Sequence, residues 1–160
     1  MPVIRVERRF NAKLADVFCA FTALESAPER ITAIQKLEVL TDGPMQVGTR
    51  FRETRVMFGK EATEEMEVTR FSPNEGYTVE AESCGTHYTT SYAFADKGES
   101  TEVVMSFEGR PLTFFGKVMS VVFRPFLGMM TKMVAKDMDD LGAYLEGPGG
   151  DVGAADGVTA

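Results

Sequence analysis

The chain has 160 residues, 44% hydrophobic and 26% charged, with a formal net charge of −7 and a pI of about 4.8. That length fits one domain with a real core. The acidic balance excludes the basic face of a nucleic-acid binder and weighs against docking on an anionic membrane by charge alone.

The opening MPVIRVERRF is charged and alternating, unlike a signal peptide, and the expectation is a cytoplasmic protein. Residues 3–10 read as a strand, with Ile4, Val6, Arg8 and Phe10 on one face. Asn11 is expected to cap a helix in which Leu14, Val17, Phe18 and Phe21 recur at helical spacing. Pro28 limits that helix, and a short helix or turn is expected over 26–32. Six strands then follow, over 34–43, 47–58, 61–71, 76–83, 86–96 and 100–109. The turn signals between them, such as Asp42-Gly43-Pro44, Ser72-Pro73-Asn74 and Lys97-Gly98, are short and regular, as in an antiparallel meander.

The last element runs from about Leu112 to Glu146, and its apolar stripe is spoiled only by Asp137. The twenty residues FFGKVMSVVFRPFLGMMTKM have the length of a membrane span. Lys117, Arg124 and Lys132 recur along them and Pro125 and Gly128 interrupt them, which argues for a core helix instead. Pro125 is expected to kink or break the helix near residue 124 and to free 112–124 as a lid. The stretch 147–160 has no apolar periodicity and is expected to be a disordered tail behind a single domain over 1–146.

Strand alternation assigns an inward face. On 47–58 it holds Phe51, Glu53, Arg55 and Met57, and on 61–71 Glu64, Met66 and Val68. The next two strands contribute Tyr77, Val79 and Ala81, then Tyr88, Thr90, Tyr92 and Phe94. The last contributes Val103, Met105 and Phe107. Phe115, Met119, Val122, Phe126, Met130 and Met133 of the final helix are expected to face them. Methionine adapts to varied apolar shapes, so this set suits either a cavity wall or a core with methionine as filler. The interruptions by Glu53, Arg55 and Glu64 suit a pocket with a few orienting polar groups, or a pocket mouth in solvent. By alternation with Tyr88, His87 faces outward, away from any catalytic role. Cys19, Cys84 and His87 could supply three zinc ligands only if folding united them. Plain buried thiols are the expectation, with no metal and no cofactor.

Four features carry a family resemblance: Val47-Gly48-Thr49-Arg50-Phe51, SPNEGYTVE at 72–80, the hairpin YAFAD…GESTEVV at 92–104, and the closing helix ending in LGAYLE. With this order of elements the chain resembles the SRPBCC superfamily, which includes START domains and polyketide cyclase/dehydrase-like proteins, over about residues 2–146. These are fold signatures, and none is a catalytic motif. The resemblance implies an α+β helix-grip fold: a curved antiparallel sheet of six to seven strands wrapped around a long C-terminal α-helix. It also implies a cavity between them for an apolar small molecule.

The leading expectation is a binder, or transporter, of a hydrophobic ligand such as a lipid or polyketide. The expected contacts are the inward Phe51, Met57, Met66, Val79, Tyr88, Tyr92, Met105 and Phe107, with Phe115, Met119, Val122, Phe126 and Met130 opposite. A cyclase or dehydratase is the alternative, with Glu53, Glu64 or a tyrosine moving protons and Arg55 stabilising an enolate. A third reading is a partner-binding regulatory module, docking on a partner or a membrane surface through an exposed strip at Val121, Val122, Leu127 and Met129. That reading leaves a homodimer open.

Overall fold

The structure is a computed structural model that describes residues 3–57, 59–146 and 158–159. Strand β1 (Val3–Phe10) alternates as its sequence dictates, and Ile4, Val6, Arg8 and Phe10 are all buried. Helix α1 (Leu14–Thr22) turns Val17, Phe18 and Phe21 inward. A 3-10 turn at Leu24–Ser26 and the one-turn helix α2 (Ala27–Arg30) fill the short element expected over 26–32. Six further strands follow: β2 (Ile34–Val39), β3 (Arg50–Met57), β4 (Lys60–Ser72), β5 (Gly76–Ser83), β6 (Thr86–Asp96) and β7 (Thr101–Pro111).

All neighbouring strands pair antiparallel in the order β2-β3-β4-β5-β6-β7-β1, so the meander closes by bringing the first strand beside the last. A two-residue strand β8 (Val158–Thr159) pairs with β1 at Arg5 and Val6. Except for that pair, the tail expected to be disordered lies outside the described residues, as does Phe58 at the end of the third expected strand. Register shifts at Ile34/Lys36 and Val68/Arg70 mark bulges, which bend and twist a sheet locally.

The interruption expected near residue 124 is a full break that divides the last element into two helices. Helix α3 (Phe114–Val122) ends before a 3-10 turn at Arg124–Phe126, and helix α4 (Leu127–Glu146) follows, the two parts bent by 49°. Pro125 has no backbone N–H to give to the helical ladder, and its ring crowds the preceding turn. No single helix among the described residues is long and apolar enough to cross a membrane.

A clamp at the far end fixes α4 against β1. Arg8 is 2% exposed, and its guanidinium donates to the Met138 carbonyl. It lies 3.6 Å from Asp139, 3.7 Å from Glu146 and 4.7 Å from the centre of the Phe10 ring. Room for it exists because residue 142 is glycine: a Cβ there would collide with the guanidinium. The other end of the helical pair is held by close backbone approach. Gly85 takes φ +72 at the β5–β6 turn, its carbonyl accepts from Leu112 N at 2.8 Å, and Gly116 of α3 packs directly on it.

Two local expectations need correction. Asn11 does not cap α1, which begins at Leu14 with Lys13 at the cap; the Asn11 N–H instead donates to Glu146 Oε1 at 2.8 Å, tying the loop to α4. Cys19 and Cys84 are exposed and free, because Cys19 lies on the outer side of α1 and Cys84 sits in the β5–β6 turn with φ 50.

Candidate functional site

Between the concave sheet face and α4 lies a chamber of about 290 Å³, partly open to solvent. Period-two alternation builds its sheet wall. Phe51 and Met57 come from β3, Met66 from β4, Val79 from β5, Tyr88 and Tyr92 from β6, and Met105 and Phe107 from β7. Cross-strand register puts Phe51 beside Met66, Tyr92 beside Met105, and Thr90 beside Phe107. Met130, Met133, Val134, Met138 and Leu141 supply the α4 wall. Seven of the ten methionines line the space, giving it an adaptable surface.

One end is closed by aromatic packing. Phe18 meets Phe94 at 5.0 Å between ring centres, Phe21 meets Phe94 at 5.3 Å and Phe10 at 5.6 Å, all edge-on. Tyr77 stacks on Tyr92 at 4.8 Å. Ile31, Ile34, Leu37 and Met45 complete the apolar rim on that side.

A charged cluster interrupts the apolar wall. Arg55 Nε donates to Glu53 Oε1 at 2.7 Å, and Arg55 Nη2 donates to Asp137 Oδ2 at 2.9 Å, so one guanidinium bridges β3 and α4. All three side chains are less than one-fifth exposed. Glu64 stands directly opposite Glu53 in the β3–β4 pairing and makes no hydrogen bond among the described residues. Burial works against the charge on Arg55, but Glu53 and Asp137 more than offset it and hold its pKa above the ordinary value. Burial, reinforced by the Glu53 charge, pushes the Glu64 carboxyl up. Burial also raises Asp137, although Arg55 opposes the shift. Asp137 Oδ1 is shielded from solvent and has no hydrogen-bond partner among the described residues. Burial raises Tyr77 and Tyr92 as well, keeping both phenols neutral.

The chamber thus brings together Glu53, Arg55 and Glu64 with Phe51, Met57, Met66, Val79, Tyr88, Tyr92, Met105, Phe107 and Met130. It does not bring Phe115, Met119, Val122 or Phe126 into the wall. Their stripe was drawn on one continuous helix, but the break at Arg124–Phe126 re-aims everything before it. Phe115, Val122 and Phe126 are exposed, and α3, the expected lid, lines none of the space. Asp137 is the polar residue that sequence reasoning passed over; its signal was a lone charge on an otherwise apolar stripe.

His87 lies outside the chamber, with Nε2 3.0 Å from Glu80 Oε1 and Nδ1 3.2 Å from Glu82 Oε1. The hydrogen bonds to Glu80 and Glu82 raise its pKa. Among the described residues no group of three or more His, Cys, Asp or Glu could hold a metal ion, so Cys19, Cys84 and His87 do not converge.

A bent antiparallel sheet gripping a C-terminal helix, with an oily chamber between them, defines a helix-grip protein of the SRPBCC type. The family model described as polyketide cyclase / dehydrase and lipid transport matches residues 1–146, and the chain belongs to that family. No curated protein sequence matches it. Among solved structures, TTHA0849 from Thermus thermophilus is 22% identical with a TM-score of 0.72, over 90% of this chain and 97% of that one. The major latex-like protein 151 of Panax ginseng is 14% identical with a TM-score of 0.74, over 90% of this chain and 97% of that one. Norcoclaurine synthase from Thalictrum flavum, solved with dopamine and hydroxybenzaldehyde, is 19% identical with a TM-score of 0.67, over 89% of this chain and 85% of that one. At these identities the likeness is one of fold.

Proposed function

We propose that this protein binds a hydrophobic small molecule with one polar end, such as a lipid or polyketide, inside the chamber. The observation that carries the reading is the cluster of Glu53, Arg55, Glu64 and Asp137 set in a chamber wall that is otherwise mostly apolar. A guest hydroxyl or N–H that meets this cluster makes a hydrogen bond to a charged group, worth about 1.5–3 kcal/mol. The apolar remainder gains about 25 cal/mol per Å² of surface taken from water. The test is a fluorescence titration with 1-aminoanthracene, a flat apolar body with one donor group. Val79→Phe narrows the chamber and should weaken binding at least about tenfold, or about 1.4 kcal/mol. Phe114→Ser, outside the chamber, should leave the affinity unchanged. Equal affinity in all three proteins would refute internal binding.

Glu64 favours a second reading, a cyclase or dehydratase. A carboxyl whose pKa is raised by burial, beside a second carboxyl, is the arrangement of a general acid with its base. In a dehydration, Glu53 takes the α-proton of a β-hydroxy ketone and Glu64 protonates the departing hydroxyl, releasing water and the enone. Glu64→Gln should abolish such turnover while leaving 1-aminoanthracene bound. Turnover that survives the substitution removes this reading.

A further inference from the structure

The surface around α3 is built unlike the rest of the molecule. Phe114 is 83% exposed and Val121 61%, and Phe115, Val122, Phe123 and Met129 are exposed beside them. This is a fixed feature of the fold. Gly116 is buried on the Gly85 carbonyl, and the Thr113 hydroxyl caps the helix by accepting from Gly116 N at 3.0 Å. Pinned by that contact, α3 turns Phe114, Phe115, Val118, Val121 and Val122 outward. A contiguous apolar surface of this kind on a folded chain marks a docking face.

Charge selects the partner. From Gly109 to Lys136 the chain has five basic residues and no acidic one, although the whole chain carries 24 acidic against 17 basic. Arg110, Lys117, Arg124 and Lys132 are exposed and make no ion pair with the described residues. A second copy of this chain seated on the face would bring two such cationic sets together with no carboxylate between them. We propose that α3 and the first turns of α4 dock on an anionic lipid bilayer, the phenylalanines and valines entering the acyl boundary and Lys117, Arg124 and Lys132 meeting the headgroups. The chemistry is that of an interfacial amphipathic helix, in which apolar burial and attraction to anionic lipid add. The net charge of −7 opposes approach from a distance, but that repulsion is screened beyond about 8 Å at physiological salt. Met130 and Met133, just after the exposed Met129, belong to the chamber wall, so docking sets that wall beside the bilayer.

The docking stands on the exposed face and not on the chamber. A protein that binds 1-aminoanthracene but ignores vesicles loses only the docking, and one that does the reverse loses only the internal site. The experiment is vesicle flotation of the full chain with phosphatidylcholine alone and with phosphatidylcholine plus phosphatidylglycerol. Partition is expected to be strong only with phosphatidylglycerol, and to weaken as salt rises from about 0.1 M to about 1 M. Lys117→Glu with Arg124→Glu should lower it at least about tenfold. Phe114→Ser with Phe115→Ser should abolish it, with 1-aminoanthracene affinity unchanged throughout. No partition into anionic vesicles overturns the proposal, as does equal partition into both compositions unaffected by the four substitutions. A dimer in light scattering that Phe114→Ser dissolves also overturns it, by giving the face to a second copy.

Discussion

Replacing Arg55 with methionine keeps an unbranched apolar stem but removes the one cation among the described residues of the chamber wall. Glu53 and Asp137 are 15% and 16% exposed and lose their only shared partner. Breaking a buried pair by deleting one side costs about 3–5 kcal/mol, because the remaining charge stays desolvated. Residual exposure and proton uptake by the stranded carboxyls place the expected loss near about 3 kcal/mol at pH 8. At about 2–4 °C per kcal/mol, that lowers the melting temperature by about 6–12 °C. The sign with pH follows from linkage. Burial already raises Asp137, and Arg55 is what opposes that shift, so without Arg55 the folded-state pKa rises further. The folded variant then holds protons that the unfolded chain has released, and its deficit grows as pH rises above the ordinary carboxylate range. Urea unfolding at pH 5 and pH 8 should show a smaller loss at pH 5. Arg52→Met is the control: its 3.4 Å pairs with Glu38 and Glu65 are exposed, and it should cost about 0–1 kcal/mol. A loss below about 1 kcal/mol for Arg55→Met, or one independent of pH, would refute the reasoning.

Three further outcomes can be checked by the same unfolding experiments. Glu64→Gln should stabilise the protein at neutral pH, where the folded state pays to ionise a carboxyl whose pKa is raised; the gain should vanish below about pH 4, where both folded and unfolded chains hold the proton. Phe21→Ala should cost about 3–5 kcal/mol, since it empties the edge-on cluster with Phe10, Tyr92 and Phe94 that closes the chamber. Gly142→Ala should cost about 1–3 kcal/mol by forcing the Arg8 guanidinium off α4, and the loss should shrink when Arg8 is already methionine, a coupling read from a double-mutant cycle.

The sheet was legible because its signals are local. Alternation along β3, β4, β6 and β7 fixed which side chains point inward, and a slip of one residue would have reversed every one of them. Even Glu53, Arg55 and Glu64, improbable as inward residues, were assigned correctly on that ground alone. The helix wall was legible only at Met130 and Met133, for two physical reasons. A period-3.6 stripe stays on one face only while the helix is continuous, and Pro125 ends that continuity just before Phe126. Phe115 and Val122 therefore carry the pattern of a core face but point to solvent. The second reason is range: Asp137 meets Arg55 across 82 residues of sequence, and no spacing rule reaches that far. The same holds for Ile31, Leu37 and Met45, which reach the rim from irregular segments or an edge strand.

The central claim is that a guest enters the space between the sheet and α4. Methionine methyl resonances read this directly, because Met57, Met66, Met105, Met130 and Met133 line the chamber while Met129 lies on the exposed face. Titrated with 1-aminoanthracene and labelled at the methionine methyls, the protein should show large ring-current shifts at the chamber set and little change at Met129. Shifts confined to Met129, or none at saturating probe, would contradict a hollow interior open to ligand.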